Sequence, residues 1–314
     1  MTEAHGTGKY ERLLARCRQV PPISTAVAHP CDDVSLSAVV EAARARIIQP
    51  ILCGPADRIR RTAKTLSIDI EPFEIVDAPH SHGAAARAVE LVRLGRAEVL
   101  MKGSLHTDEL MAEVVKRDTG LRSDRRVSHV FVMDVPTYHK PLMITDAAVN
   151  IFPTLDDKRD IVQNAVDLAI ALGVERPKVA ILSAVETVTG KIPSTVEAAA
   201  LCKMADRGQI TGAILDGPLA FDNAISAEAA RIKHIASPVA GDADILVVPD
   251  LEAGNMLAKN LTFMARADAA GIVLGARAPI ILTSRADNER TRMASCAVAA
   301  LYAHARRARP AVAA

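Results

Sequence analysis

The chain has 314 residues, with 38 Lys and Arg against 37 Asp and Glu, a formal charge of +1. That balance, with only 3 % aromatics and no Trp, excludes a dedicated nucleic-acid binder, which carries a basic excess and stacking rings. Half of the residues are hydrophobic, which excludes global disorder and allows roughly 75 % of the unfolded surface to be buried in one large domain or two smaller ones.

The stretch through Val20 has no apolar segment of signal-peptide type and reads as an irregular leader around Gly6-Thr7-Gly8. Short apolar runs then recur, ending in Gly, Pro or Asp. In chain order they predict strands over Ile23–Ala28, Ile47–Cys53, Phe73–Val76, Glu98–Met101, Val127–Met133 and Leu142–Thr145. Further strands are predicted over Val179–Leu182, Gly212–Leu215, Ile245–Val248, Gly271–Leu274 and Pro279–Leu282. These runs are continuous rather than alternating, so both sheet faces are expected to be covered.

Helical patterns lie between them. Thr154 with Asp157, Ser194 with Glu197, and Ser284 with Asp287 read as capping boxes that open helices. Strand–helix alternation means an α/β fold with a mostly parallel sheet. Chain length and strand density predict two such domains facing a cleft, with boundaries near 146 and 284 and a final helix packing back on the first domain.

No apolar run approaches the ~18–20 residues that span a bilayer. The five cysteines (17, 31, 53, 202 and 296) contain no CxxC pair, which disfavours disulfide scaffolds and zinc ribbons. They read as packing residues of a protein in a reducing cytoplasm.

Nucleotide and nucleophile motifs fail. No GxGxxG follows a strand, no GxSxG occurs, and Gly190-Lys191 continues into Ile192 with Val185 where a Walker A glycine belongs. Asp77, His80 and His82 read as a solvated loop rather than metal ligands. What remains is polar residues at strand ends, where open α/β sheets bind ligands. These are Lys102-Gly103-Ser104, Thr145-Asp146, Asp216-Gly217-Pro218, Pro249-Asp250 and Thr283-Ser284-Arg285. In the last, a hydroxyl and a guanidinium precede a predicted helix, a ready phosphate site. The plainer alternative makes Ser284 an N-cap and Arg285 a surface charge. Lys102 either meets phosphate or is a surface lysine. Asp216, Asp222 and Asp250 are turn-formers or ligands. Gly254, before Asn255, leaves room for close ligand approach.

An ordered set of segments is similar to the phosphate acetyl/butyryl transferase family. It comprises Leu100-Met101-Lys102-Gly103-Ser104, Gly120-Leu121-Arg122, Val127-Ser128-His129-Val130 and Pro136-Thr137-Tyr138. It continues through 144–151 (ITDAAVNI), 215–222 (LDGPLAFD), 249–255 (PDLEAGN) and 279–285 (PIILTSR). Each segment is weak alone; the order makes the set specific over about two thirds of the chain.

The resemblance implies two α/β domains of isocitrate/isopropylmalate dehydrogenase-like architecture, residues 1–145 plus 284–314 and an inserted 146–283. It implies reversible acyl transfer, acetyl first and butyryl as the alternative, between coenzyme A and phosphate. No metal or permanently bound cofactor is implied. Coenzyme A, inorganic phosphate and acyl phosphate are the implied partners of a cytoplasmic homodimer, without nucleic acid or membrane.

By the same resemblance Ser284 and Arg285 stabilise the transition state, and Arg122 belongs to the substrate site. Lys102, Gly103, Ser104, Thr145, Asp146, Asp222, Gly254 and Asn255 complete the candidate binding set. The acetyl branch carries an acidic residue where this chain has Thr291, so Asp287 becomes the candidate base. Two other readings compete: a metal- and NAD(P)-dependent decarboxylating dehydrogenase of similar fold, and a non-catalytic binder of the same ligands.

Overall fold

The computed structural model describes residues 8–282 and 287–308. The first elements are α1 (Lys9–Cys17), β1 (Ile23–Ala28), α2 (Asp33–Arg44), β2 (Ile48–Gly54) and α3 (Ala56–Leu66). They continue with β3 (Glu74–Asp77), α4 (Ser81–Arg93), β4 (Val99–Lys102) and α5 (Thr107–Val114). Next come β5 (Ser128–Asp134), β6 (Leu142–Thr145), α6 (Leu155–Ala171), β7 (Lys178–Leu182) and α7 (Pro193–Asp206). After these run β8 (Ile214–Leu219), α8 (Phe221–Ile225), α9 (Ala227–Ile232), β9 (Ile245–Val247) and α10 (Leu251–Phe263). The last described elements are β10 (Asp268–Leu274), β11 (Ile280–Ile281) and α11 (Glu289–Ala308).

The apolar runs predicted as strands are strands, most with ends moved by a residue or two. The largest difference is at β8, which runs through Asp216-Gly217-Pro218 where the sequence suggests a turn. Pro218 is tolerated because β8 is the outer strand of its row, next to β7 alone. A register shift between Ala180 and Leu182 absorbs the irregularity. Helix α1 stands where an irregular leader is expected. It buries Cys17, and Tyr10, Leu13, Leu14 and Cys17 fall at i, i+3, i+4 and i+7, a one-faced helical pattern that the expectation of a leader passes over.

The contacts gather the chain into two compact units. Among the described residues, one holds Tyr10–Arg125 and those from Ala270 onward; the other holds those through Lys9 and Arg126–Ala269. These divisions fall before the 146 and 284 drawn from sequence. The reason is pairing. Strand β6, ending at Thr145, lies between β5 and β9 and goes with them. Strand β10 pairs with β11, which pairs in turn with β4.

In the first unit the strands lie in the order β3-β2-β1-β4-β11-β10, parallel except for β10. Helix α11 packs on α2, β1, β4 and β11. In the second unit the order is β5-β6-β9-β7-β8, parallel except for β5. Fully buried Ile23, Leu52 and Leu100 anchor the first core, and Met133, Ile144 and Leu246 the second. Each such side chain contributes about 1.5–3 kcal/mol by leaving water.

Helix starts divide the capping predictions. At α6 the box is complete: Thr154 Oγ1 accepts from Asp157 N at 3.2 Å, and Asp157 accepts from Thr154 N at 3.0 Å. At α7 it is not formed. Pro193 opens that helix, Ser194 pairs with Ser183 at 2.9 Å, and Glu197 takes the buried Lys158 ammonium. At α11 Asn288 Oδ1 accepts from Thr291 N at 2.8 Å, so the cap lies past the Ser284–Asp287 box. Asn is as good a cap as Ser and stands next to the helix. Among the described residues no helix is long and apolar enough to cross a membrane.

Candidate active site

Register places three strand exits of the first unit side by side: Ala28 pairs with Lys102, and Ile281 with Met101. The candidates at the end of β4 sit in this row. Gly103 N–H donates to Ala28 O at 2.8 Å. A Cβ there would lie 2.5 Å from both the Ala28 and His29 carbonyl oxygens, so only glycine fits. Lys102 is not the surface lysine of the alternative reading. It is 7 % exposed, with Nζ donating to Gly103 O at 3.3 Å.

Ser104 Oγ lies 2.8 Å from His29 O and 3.0 Å from His29 Nδ1, and accepts from Cys31 N at 3.3 Å. Around it a cavity of about 370 Å³ is lined by His29, Asp32, Arg58, His106 and Glu109, among others. Burial pushes the His29 pKa below its ordinary value, and Arg58 adds to this against the opposing charges of Glu109 and Asp32. Glu109 Oε2 is buried without a hydrogen bond, and His82 Nδ1 stands 3.8 Å away. A larger groove of about 540 Å³ lies at the opposite, amino ends of β1, β2 and β3, beside Ser24, Ile48 and Glu74. The strand-exit rule favours the smaller cavity.

Arg122 is exposed in the same unit. Its backbone bridges to Ala276 and its carbonyl accepts from Arg277 Nε at 3.0 Å. The guanidinium has no hydrogen-bond or ion-pair partner among the described residues. Ser284 and Arg285 lie outside the described residues. Asp287 is half-buried, and its carbonyl accepts from the Arg292 guanidinium. The helix that follows begins at Glu289 rather than directly after Arg285.

The second unit gathers Thr145, Asp146, Gly254 and Asn255. Thr145 Oγ1 donates to His129 O at 2.9 Å. Asp146 accepts from the N–H groups of Ala148, Val149 and Asn150 at 3.0–3.1 Å and from Asn150 Nδ2 at 2.6 Å. Asn255 Nδ2 donates to Ala147 O at 3.2 Å. The space that Gly254 frees is filled by protein. A Cβ there would meet Val248 Cγ2 at 2.7 Å and Ala147 Cα at 3.0 Å, so this glycine lets α10 approach the turn after β6.

Asp222 is exposed in the first turn of α8, apart from this group. Asp250 caps α10 through Ala253 N at 2.9 Å, and Asp216 lies in β8. Behind Asp146 sits His129, buried edge-on to Phe131 with Nδ1 unpartnered. Burial lowers its pKa to about 4, against the raising effect of Asp146.

The remaining candidates have structural work. Asp77 accepts from Ala56 N at 2.9 Å at the start of α3, and His80 Nδ1 accepts from Gly83 N at 3.1 Å at the start of α4. Among the described residues no cluster of His, Cys, Asp and Glu is set to hold a metal. All five thiols are free, and burial raises each, Cys31 to about 11 and Cys296 to about 12. They are inert at neutral pH. The sequence reading misses His29, Arg58 and Glu109. The strand-exit rule that found Lys102 applies equally to His29, directly after β1. Arg58 and Glu109 carry no local signal, because only the fold brings α3 and α5 to the same cavity.

An α/β protein with its candidate polar residues at parallel-strand exits has the architecture in which ligands bind outside the carboxyl ends of the strands. The family is narrower. Residues 81–300 match the phosphate acetyl/butaryl transferase family model, and the chain belongs to that family. It is 69 % identical to a phosphate acetyltransferase of Rhizobium meliloti, over 96 % of this chain and 95 % of that protein. It is 43 % identical to a phosphate butyryltransferase of Clostridium beijerinckii, over 94 % and 97 %. Among solved structures it is similar to a branched-chain phosphotransacylase from Enterococcus faecalis V583, with a TM-score of 0.79 and 33 % identity over 90 % of this chain and 99 % of that one.

Proposed function

We propose that the protein is a phosphate acyltransferase that exchanges an acyl group, acetyl first, between coenzyme A and phosphate. The observation that carries this is the 69 % identity to a phosphate acetyltransferase across 96 % of the chain. The thiolate of coenzyme A attacks the acyl carbonyl, and phosphate leaves. A free thiol with a pKa near ~8.5 is mostly protonated at neutral pH, so a base is needed. Charge grows on the carbonyl oxygen and on the leaving phosphate, which calls for cations and N–H donors. Arg285 and Ser284 meet that charge. Arg122, whose guanidinium is unpaired among the described residues, holds the phosphate end. Lys102 and Ser104 belong to the same strand-exit group. Coenzyme A is a substrate here, and the enzyme works as a cytoplasmic homodimer without a bound cofactor.

Butyryl transfer is the second reading, favoured by Thr291 in place of the acetyl branch's acidic residue and by the 43 % identity to a butyryltransferase. One assay separates these and the dehydrogenase alternative. Coenzyme A consumption is followed with acetyl, propionyl and butyryl phosphate, with and without chelator. The expected outcome is chelator-independent transfer that is fastest with acetyl phosphate. Transfer abolished by chelator, or no transfer with any of the three, overturns the proposal.

A further inference from the structure

His29 is 7 % exposed at the exit of β1, and it lines the 370 Å³ cavity together with Ser104. Its proton position follows from its neighbours. The 2.8 Å contact between Ser104 Oγ and His29 O uses the hydroxyl hydrogen, because a carbonyl oxygen only accepts. Cys31 N–H donates to the same hydroxyl oxygen. The 3.0 Å contact with His29 Nδ1 is therefore a donation from Nδ1–H to Ser104. Nε2 keeps its lone pair and has no hydrogen-bond partner among the described residues.

The neighbouring groups are differently engaged. The Asp32 carboxylate accepts from Ser35 N at 2.8 Å and from Ser35 Oγ at 2.6 Å. Thr291 offers no carboxylate, and Asp287 stands ahead of α11 with its main-chain carbonyl taken by the Arg292 guanidinium. His129 is enclosed in the second unit with its Nδ1 buried. A neutral imidazole with one fixed N–H and one open lone pair, at a strand exit, is the arrangement a general base requires.

We infer that His29 Nε2 is the proton acceptor for the coenzyme A thiol; the inference rests on the acyl-transfer reading above. As the sulfur–carbon bond forms, the thiol proton passes to Nε2. The tetrahedral carbon then breaks its bond to the phosphate oxygen, and the proton returns from Nε2 to the departing phosphate. Atoms and charge balance without another reactant. Ser104 is a positioning residue, since it fixes which nitrogen carries the hydrogen.

The charged and titratable groups around the ring come from every neighbouring element. Arg58 on α3 favours the neutral ring. Asp32 before α2 and Glu109 on α5 favour the charged one. His106 lines the same cavity, His82 faces Glu109 from α4, and Lys102 closes β4. Burial and Arg58 outweigh the carboxylates.

The test is the pH dependence of kcat/KM for coenzyme A in wild type and His29→Asn. Asn is chosen because it tolerates the φ of 57° at this position and keeps an amide donor toward Ser104. Wild type should lose activity as pH falls below 6.5, histidine's ordinary value. The variant should lose about 10²–10⁴-fold in kcat/KM and show no such acid limb, with the KM for acyl phosphate and the thermal midpoint retained. Wild-type rates, or a reduced rate with the acid limb intact, overturn the assignment. Should the variant not fold, Ser104→Ala decides. It removes a hydrogen bond that strengthens when the ring is charged, so the limb should move to lower pH; an unmoved limb overturns the assignment. Wild-type protein that transfers no acyl group refutes the functional reading itself, whereas a wild-type limb in an active His29→Asn refutes His29 alone.

Discussion

Asp146 is 3 % exposed, and its two oxygens hold three backbone N–H groups and the Asn150 amide. Such a carboxylate organises the turn after β6 first and meets a ligand only through what that turn presents. Asp146→Ala leaves buried donors unpaired, at a cost of about 1–3 kcal/mol. A lowered urea midpoint with an unchanged slope is the expected result, and an unchanged midpoint contradicts it. Arg122 is the opposite case. It is exposed and its guanidinium is unpaired among the described residues, so Arg122→Ala should leave stability within about 0.5 kcal/mol of wild type. The effect should fall on the KM for acyl phosphate, and steady-state kinetics that show no rise remove Arg122 from the site. For Arg285→Ala the expectation is a loss in kcat with the thermal midpoint kept. Transfer at the wild-type rate contradicts its assigned role.

At the scale of elements, apolar continuity made the strands legible. Ile23–Ala28 and Leu142–Thr145 come out with the very ends read from sequence. Caps were less legible because several short polar side chains compete near each helix start. Ser284, Asp287 and Asn288 all stand ahead of α11, and the nearest one caps it. Asn288→Ala should therefore lower stability by about 1 kcal/mol in urea unfolding, and an unchanged midpoint argues against this cap. The candidate site was half legible for a related reason. Lys102-Gly103-Ser104 is one contiguous polar break after one apolar run. The cavity beside it draws His29, Arg58 and Glu109 from three separate crossings of the first unit. No local pattern joins residues so far apart in sequence.

Across the whole molecule, two buried imidazoles couple stability to pH. Burial lowers the pKa of His29 and lowers that of His129 to about 4 from an ordinary 6.5. Between these values the unfolded chain binds protons that the folded chain refuses, so stability falls as pH drops through this window and rises with pH across it. Asp242 acts lower down. Burial raises its pKa, but Lys178, Lys140 and His139 outweigh that and hold it well below the usual 3.8. Its contribution is present above 3.8 and lost below it. With the side chain 39 % exposed, solvent screens that pair and keeps the contribution small. Acid should therefore weaken the protein in two stages, the first carried by histidine. Urea midpoints measured from pH 7 to pH 4 should decline in wild type and decline less steeply in His129→Gln, which has no ring to protonate. His29→Asn should flatten the slope by a further, separate amount, because the two imidazoles lie in different units and share no partner among the described residues. A slope that both variants leave unchanged would mean that groups other than these imidazoles take up the protons.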